Sequence, residues 1–249
     1  MQTFHIEKEA VTETSIEVKG EIGHHIGRVL RVRVGESLRF SDNEALYYEG
    51  SVTAVSGDTV TVAVEKIYPI DDEPRLSVTL LQCLPRGDKM EQVLQKTTEL
   101  GVKRVIPVES DNSQIRLKNK KEEKQKRWQK IVDSAAEQSG RGIIPVVETP
   151  CGLKTALDAL SDTTEILFCY ERETDRGFRA TAEELKAKTT EIALIIGPEG
   201  GFSPAEAEMI LAHGGHSVTM GSRILRTETA GPTALAALMY EFGEWERSH

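Results

Sequence analysis

The sequence predicts an α/β protein in two parts: a small β-barrel over residues 1–73, then a parallel sheet flanked by helices over residues 74–249. Three observations carry this. Short alternating stretches separated by turn residues fill the first part. From Arg75 onward strand-like and helix-like windows alternate. The strand windows there include unbroken apolar runs such as Ile192-Ala193-Leu194-Ile195-Ile196, which suit strands buried on both faces.

Taken in chain order, Met1-Gln2-Thr3-Phe4-His5 begins with strand-like alternation, and a short helical piece is expected over 24–30. Strands are expected at 37–40, 45–48, 51–55 and 59–64. Ser56-Gly57-Asp58 between the last two, both β-branched and alternating, reads as a hairpin turn. The polar, proline-bearing stretch 70–75 is the expected linker. Strands then follow at 76–82, 105–108, 166–170, 192–196 and 217–220. Helices are expected between them at about 87–100, 122–139, 153–160, 180–188 and 204–213, with a last one at about 230–243. No internal repeat or low-complexity tract is visible.

The 249 residues carry 40 Asp and Glu against 31 Lys and Arg, a net charge of −9. On average such a chain repels nucleic acid. Hydrophobic residues at 39% are enough for a sizeable core. The three cysteines, Cys83, Cys151 and Cys169, are far apart and fit neither a zinc site nor a disulfide framework. No metal is expected. The amino terminus lacks a charged-then-apolar targeting pattern, and no apolar run approaches the ~18 residues of a membrane span. The expectation is a soluble, reduced, cytoplasmic protein without a membrane partner.

Three segments have the composition of a site. Gly197-Pro198-Glu199-Gly200-Gly201-Phe202-Ser203-Pro204-Ala205-Glu206 follows an apolar strand and opens a helix. Ser203 is a natural N-cap, Pro204 suits the first helical position and Glu206 completes a capping box. Three glycines at the carboxyl end of a parallel strand let a ligand approach the backbone, although they also serve a plain tight turn. The spacing matches neither a nucleotide-triphosphate loop nor a dinucleotide fingerprint. No cation lies inside the loop, and Glu199 repels phosphate. A phosphate-free ligand with amide-like and adenine edges fits better.

The second segment, Met220-Gly221-Ser222-Arg223-Ile224-Leu225-Arg226-Thr227-Glu228-Thr229-Ala230-Gly231-Pro232, leads into a helix whose start is almost wholly apolar. Thr227 or Thr229 suits the cap and Pro232 the first turn. A helix apolar on every side is covered by the core or by another subunit. Arg226 and Glu228 are either a structural ion pair or site residues. The third segment, Glu137-Gln138-Ser139-Gly140-Arg141, ends a helix with Gly140 as its C-cap.

Charge is uneven along the chain. Residues 116–130 hold eight basic and two acidic side chains around Trp128, whereas residues 1–73 hold seven basic and fourteen acidic ones. Within that acidic part Arg28, Arg31 and Arg33 crowd together. A charge run is commonly a solvated helix face, but two basic clusters on an acidic chain point to a phosphate-backbone surface.

These three segments, together with His25-Ile26-Gly27-Arg28-Val29-Leu30-Arg31 and Lys96-Thr97-Thr98-Glu99-Leu100-Gly101-Val102, resemble the RsmE family of 16S rRNA uridine-N3 methyltransferases. The correspondence runs in order over essentially the whole chain. The resemblance implies a PUA-like β-barrel joined to a SPOUT-class methyltransferase domain, with a trefoil knot and cofactor site within about 166–240. It further implies a homodimer that uses S-adenosylmethionine and methylates N3 of a uridine in the decoding region of 16S rRNA, in the assembled 30S subunit. Carried over, the cofactor loops comprise Cys169, Tyr170 and Glu171; Ile196, Gly197, Pro198, Glu199, Gly200 and Gly201; and Met220, Gly221, Ile224, Leu225, Arg226, Thr229 and Ala230. Arg226 is the first choice to stabilise charge building on the uracil oxygens, with Arg141 next. Glu228 either orients an arginine or accepts the N3 proton. The RNA grip is assigned to Arg28, Arg31, Arg33, Lys118, Lys120, Lys121 and Arg127. Family members often carry a basic residue near the amino terminus, where this chain has Gln2, Thr3 and His5. The competing readings are a SPOUT methyltransferase acting on tRNA and a non-catalytic rRNA-binding module.

Overall fold

The computed structural model describes residues 2–246, so Met1 and the last three residues lie outside it. The described chain forms two compact units. One comprises Met1–Glu73 together with Ala136–Ile144, the other Pro74–Ala135 together with Pro145–His249.

The first unit is a five-stranded sheet of β1 (Thr3–His5), β2 (Ser15–Val18), β3 (Ser37–Ser41), β4 (Leu46–Ser56) and β5 (Thr59–Pro69). Their order is β1-β3-β4-β5-β2. The β1–β3 pairing is parallel and the others are antiparallel. β4 and β5 are joined through Gly57 and Asp58, and the φ of +61° at Gly57 is the left-handed conformation such a short turn requires. Two corrections arise here. The windows 45–48 and 51–55 are one long strand, bent by register shifts at Glu49/Gly50 and Val52/Ala54. A side chain at Gly50 would stand 2.0 Å from the Ala63 carbonyl oxygen, so the bend needs glycine. The 24–30 window is helical but irregular: α1 (Gly20–His24) runs into a π-helical turn at His25–Val29. Alternation in β1–β5 directs Phe4, Ile16, Val18, Phe40, Val52, Val60 and Val62 into one buried cluster. Burial of such side chains contributes ~1.5–3 kcal/mol each.

The second unit contains β6 (Ser77–Cys83), α2 (Lys89–Glu99), β7 (Arg104–Glu109), most of α3 (Lys121–Ser139), β8 (Val146–Val147), β9 (Cys151–Gly152) and α4 (Leu153–Asp158). Next come β10 (Glu165–Cys169), α5 (Phe178–Lys186), β11 (Glu191–Ile196), α6 (Pro204–Ala212), β12 (His216–Val218) and α7 (Thr227–Glu241). The sheet order is β12-β10-β11-β6-β7-β8, every pairing is parallel, and β9 also pairs with β7. The continuous apolar runs are explained by this: Ile192 through Ile195 in β11 are fully buried. β8 and β9, two residues each, are too short to leave a periodic pattern. The last strand ends at Val218, before Met220, and α7 starts three residues earlier than the apolar pattern implies.

The predicted linker is less of a spacer than its composition indicates. The Tyr47 hydroxyl donates to Asp72 at 2.7 Å, and Glu73 accepts hydrogen bonds from the backbone N–H groups of Gly142 and Ile143 at 3.1 Å each. Segment Ala136–Ile144 is thereby sewn into the first unit, where Ile144 N–H also donates to Asn43.

Candidate active site

Parallel strands deliver their following loops to one edge, and the register brings three of them side by side. Cys169, the last residue of β10, is paired with Ile196 of β11 on one side and Val218 of β12 on the other. The loops that begin with Tyr170, Gly197 and Thr219 therefore emerge together, at the carboxyl edge where open α/β sheets bind ligands.

The glycine loop is held from several directions. Ser203 caps α6 with the full capping box: its hydroxyl accepts from Glu206 N–H and the Glu206 carboxylate accepts from Ser203 N–H. Phe202 is buried and meets Phe168 edge-on at 6.1 Å. At Gly201, φ is +69° and a Cβ would stand 2.2 Å from a carboxylate oxygen of Glu171, so the first and second loops close on each other through a glycine. The Asn112 amide donates to the carbonyl oxygens of Gly201 at 2.9 Å and Gly200 at 3.3 Å. Asp111 joins the same clamp, accepting from the Ser203 hydroxyl and donating its N–H to Glu206.

The third loop is fixed through Thr227. Its hydroxyl donates to the Gly197 carbonyl and accepts from the Gln82 amide, both at 2.9 Å. This corrects the expected cap: Arg226 occupies the N-cap position with extended backbone, and no side-chain hydrogen bond closes it. Thr227 is buried and used to tie β6, the glycine loop and α7 together. Met220 and Leu225 are half-buried, Ala230 is buried, and Gly221, Thr229 and Arg226 are exposed. Ile224 is 91% exposed. Among the described residues the Arg226 guanidinium has no hydrogen bond or ion pair.

Among the described residues Glu228 is not paired with an arginine. Its Oε2 lies 3.3 Å from Lys89 Nζ, at the start of α2. The same ammonium lies 3.4 Å from Glu199 Oε1, which also accepts from Arg86 N–H. Burial pushes the Glu199 carboxyl up, but the Arg86 N–H and the Lys89 ammonium together hold it below the usual range. Burial pushes the Cys169 thiol up to about 12, which removes it as a nucleophile at neutral pH. Among the described residues no group of three His, Cys, Asp or Glu side chains is placed to hold a metal ion.

Arg141 belongs to the first unit and is not free. Its guanidinium, 10% exposed, is clamped by the Glu73 carboxylate at 2.5–3.3 Å, and its carbonyl oxygen lies 3.0 Å from His5 Nε2. These bonds give it a structural job that the Gly140-Arg141 helix terminus does not disclose. The amino-terminal side chains are similarly occupied. Thr3 and His5 are buried, and the Thr3 hydroxyl accepts from Arg39 and donates to the Gly140 carbonyl.

The basic clusters divide by exposure. Arg28, Arg31 and Arg33 are exposed, with Arg28 bound to Asp58 at 2.8 Å. Lys118 and Lys120 are exposed, whereas Lys121 pairs with Glu109 at 2.6 Å and Arg127 pairs with Glu91. Trp128 is buried and offers no face for stacking on a base. Gln82, Lys89 and Asn112, which hold these loops, are residues the sequence pattern did not single out.

The cofactor expectation fits what these loops offer. The glycine turn contains no cation of its own, the Glu199 charge is met by Lys89 from α2, and the Glu171 carboxylate closes on Gly201. That setting suits an adenine edge and a positively charged sulfonium, and it is hostile to phosphate. The comparisons agree. Residues 72–239 match the RNA methyltransferase domain family and residues 18–65 the RNA methyltransferase PUA domain family. Ribosomal RNA small subunit methyltransferase E of Bacillus subtilis (strain 168) is 33% identical over 249 residues, covering 97% of each chain. A crystal structure of the Neisseria gonorrhoeae protein of the same name, bound to S-adenosyl methionine, superimposes with a TM-score of 0.85. It is 30% identical, and the match covers 96% of this chain and 97% of that one. A putative methyltransferase from Legionella pneumophila in complex with the same cofactor gives 0.83 at 30% identity, covering 96% of each. With its loop geometry and both sequence halves in agreement, the chain belongs to the ribosomal RNA small subunit methyltransferase E family.

Proposed function

We propose that this chain methylates N3 of a uridine in the decoding region of 16S rRNA, in the assembled 30S subunit, using S-adenosylmethionine. The observation that carries the reading is the gathering of the three loops at one sheet edge, with an unengaged guanidinium, Arg226, beside them. The cofactor would be held by Cys169–Glu171, Ile196–Gly201 and the Met220–Ala230 segment, and when bound it supplies an electrophilic methyl group on sulfur. Uridine N3 carries a proton and becomes nucleophilic only as that proton passes to solvent water. Arg226 stabilises the charge that then builds on O2 or O4, by ~2–4 kcal/mol on the scale of an oxyanion-hole donor. A base in a duplex stack is out of reach, so the target is unpaired or flipped.

The finer architecture belongs to the same proposal. Residues 1–73 form a PUA-like barrel that grips RNA, and residues 74–249 form the methyltransferase domain with a trefoil knot. The knot is supported by the strand order: after β11 the chain goes to the sheet's outer position at β12, and α7 then packs back over β6 and β11. A homodimer is supported by the exposed row Thr229, Thr233 and Tyr240 on α7, and by Trp245, which stacks edge-on with Tyr240. A second copy of this face would cover it. Among the described residues no helix is long and apolar enough to cross a membrane, and a ribosomal substrate supports a cytoplasmic location.

Mapping modified nucleotides in 16S rRNA from a deletion strain tests the function directly. One N3-methyluridine is expected to vanish and to return with a plasmid copy. Unchanged rRNA together with no calorimetric binding of S-adenosylmethionine would make the chain an RNA-binding module instead.

The exposure pattern also predicts which cations meet phosphate. Replacing Lys118 and Lys120 together with Ala should reduce the slope of log K against log salt by about 1.5, at roughly 0.7–0.9 per phosphate contact. Lys121 and Arg127 already serve Glu109 and Glu91, so their replacement should change it less. A slope untouched by the Lys118 and Lys120 changes, measured on 30S subunits, would mark the run as a solvated helix face.

A further inference from the structure

Lys89 is placed oddly for a residue with no function. It opens α2, where a cation opposes the helix dipole, and the N-cap Asp88 makes no compensating side-chain bond. Its stem is two-thirds buried, and its ammonium stands between two carboxylates from different loops, Glu199 at 3.4 Å and Glu228 at 3.3 Å. The two acids are not equally supported. Glu199 has the Arg86 N–H as a second partner. Glu228 Oε2 is buried with no hydrogen bond, so among the described residues Lys89 is its only compensating charge.

Arg226 precedes Glu228 by two residues. It sits at the extended N-cap, outside the helix, and its exposed side chain makes no bond among the described residues. A half-buried carboxylate two residues from an exposed, unpartnered guanidinium is the group that would capture it, because the charge-assisted pair is strong. The arrangement instead gives that carboxylate to Lys89.

We propose that Lys89 is a positioning residue that holds Glu228 away from Arg226 and so keeps the guanidinium available to the uracil ring. The proposal rests on the assignment of Arg226 to the uridine. It also gives Glu228 a definite role: its charge is committed to the Lys89–Glu199 cluster rather than to accepting the N3 proton. A single cation thereby locks the cofactor loop to the start of α7, and removing it frees an acid beside the one guanidinium that chemistry needs.

The test is a double-mutant cycle in the full-length protein, reading kcat for methyl transfer to 30S subunits and, separately, the Kd of S-adenosylmethionine. Lys89→Met should lower kcat at least tenfold, because Glu228 then captures Arg226. Lys89→Met with Glu228→Gln should recover most of that loss, because no carboxylate remains to capture it, and Lys89→Arg should stay within about threefold of wild type. A merely structural role for Lys89 would lower the unfolding midpoint of Lys89→Met while its kcat, read well below that midpoint, stays normal, and a proton-accepting Glu228 would leave the double variant poorer than Lys89→Met; either result overturns the proposal. The double variant also removes the unpaired buried charge, so it stays informative if Lys89→Met folds badly. Failure of the Arg226 assignment is seen separately, in an Arg226→Ala enzyme that retains its rate.

Discussion

Arg226→Ala should lower kcat for methyl transfer by about 10²–10³-fold while leaving the affinity for S-adenosylmethionine within a few-fold of wild type. The magnitude follows from the ~2–4 kcal/mol that a positioned donor contributes to a developing oxyanion. The split between kcat and cofactor affinity follows from what the residue does in the fold. Its backbone carbonyl accepts from Thr229 and Ala230 N–H, starting α7, and alanine keeps both bonds. Its side chain makes none among the described residues, so the fold loses nothing with it. Single-turnover transfer of a labelled methyl group to 30S subunits gives the rate, and calorimetry gives the affinity. A variant that transfers methyl at near wild-type rate would remove Arg226 from the chemistry.

The parts of this site that were legible from sequence are those whose physics is local. The capping box at Ser203 and Glu206 is written in four consecutive positions, and the structure forms it in full. The glycine turn, the hairpin at Gly57-Asp58 and the C-cap at Gly140, whose φ is +76°, likewise need only their neighbours. What was not legible depends on pairings distant in sequence. Lys89 reaches Glu228 across 139 positions, and Asn112 reaches Gly201 across 89. Nothing in the period of a helix or strand announces such contacts. Thr227 shows the same limit differently: its local context suggested a helix cap, but burial against Gln82 and Gly197 overrode the local preference. One trace did exist for Lys89, a cation at a helix start where an acid is favoured. A locally poor choice of this kind is a reasonable place to look for function. The net charge of −9 was equally misleading as an average, since the exposed lysines at 118 and 120 lie in a strongly basic run.

Glu73→Ala should destabilise the protein by about 3–5 kcal/mol, the range for breaking a buried ion pair from one side. The carboxylate is 16% exposed and receives the Arg141 guanidinium, and it also accepts the N–H groups of Gly142 and Ile143. Alanine would leave a buried cation short of its counter-ion and two backbone donors without their acceptor, which is the costly way to lose hydrogen bonds. Arg141→Ala should cost less, about 1–3 kcal/mol, because Glu73 keeps both backbone donors. Denaturant unfolding followed by a probe of the first unit measures each change. The pair of variants also decides what Arg141 is for. If its job is to fasten Ala136–Ile144 to the sheet of the first unit, Arg141→Ala lowers stability while kcat, measured well below the melting transition, stays within a few-fold of wild type. If Arg141→Ala instead abolishes methyl transfer at unchanged stability, the guanidinium serves the uridine and its bond to Glu73 is a resting state. The carboxylate clamp on a guanidinium 10% exposed favours the first outcome. An arginine recruited to a substrate must give up its partner, and this one would abandon a buried carboxylate to do so.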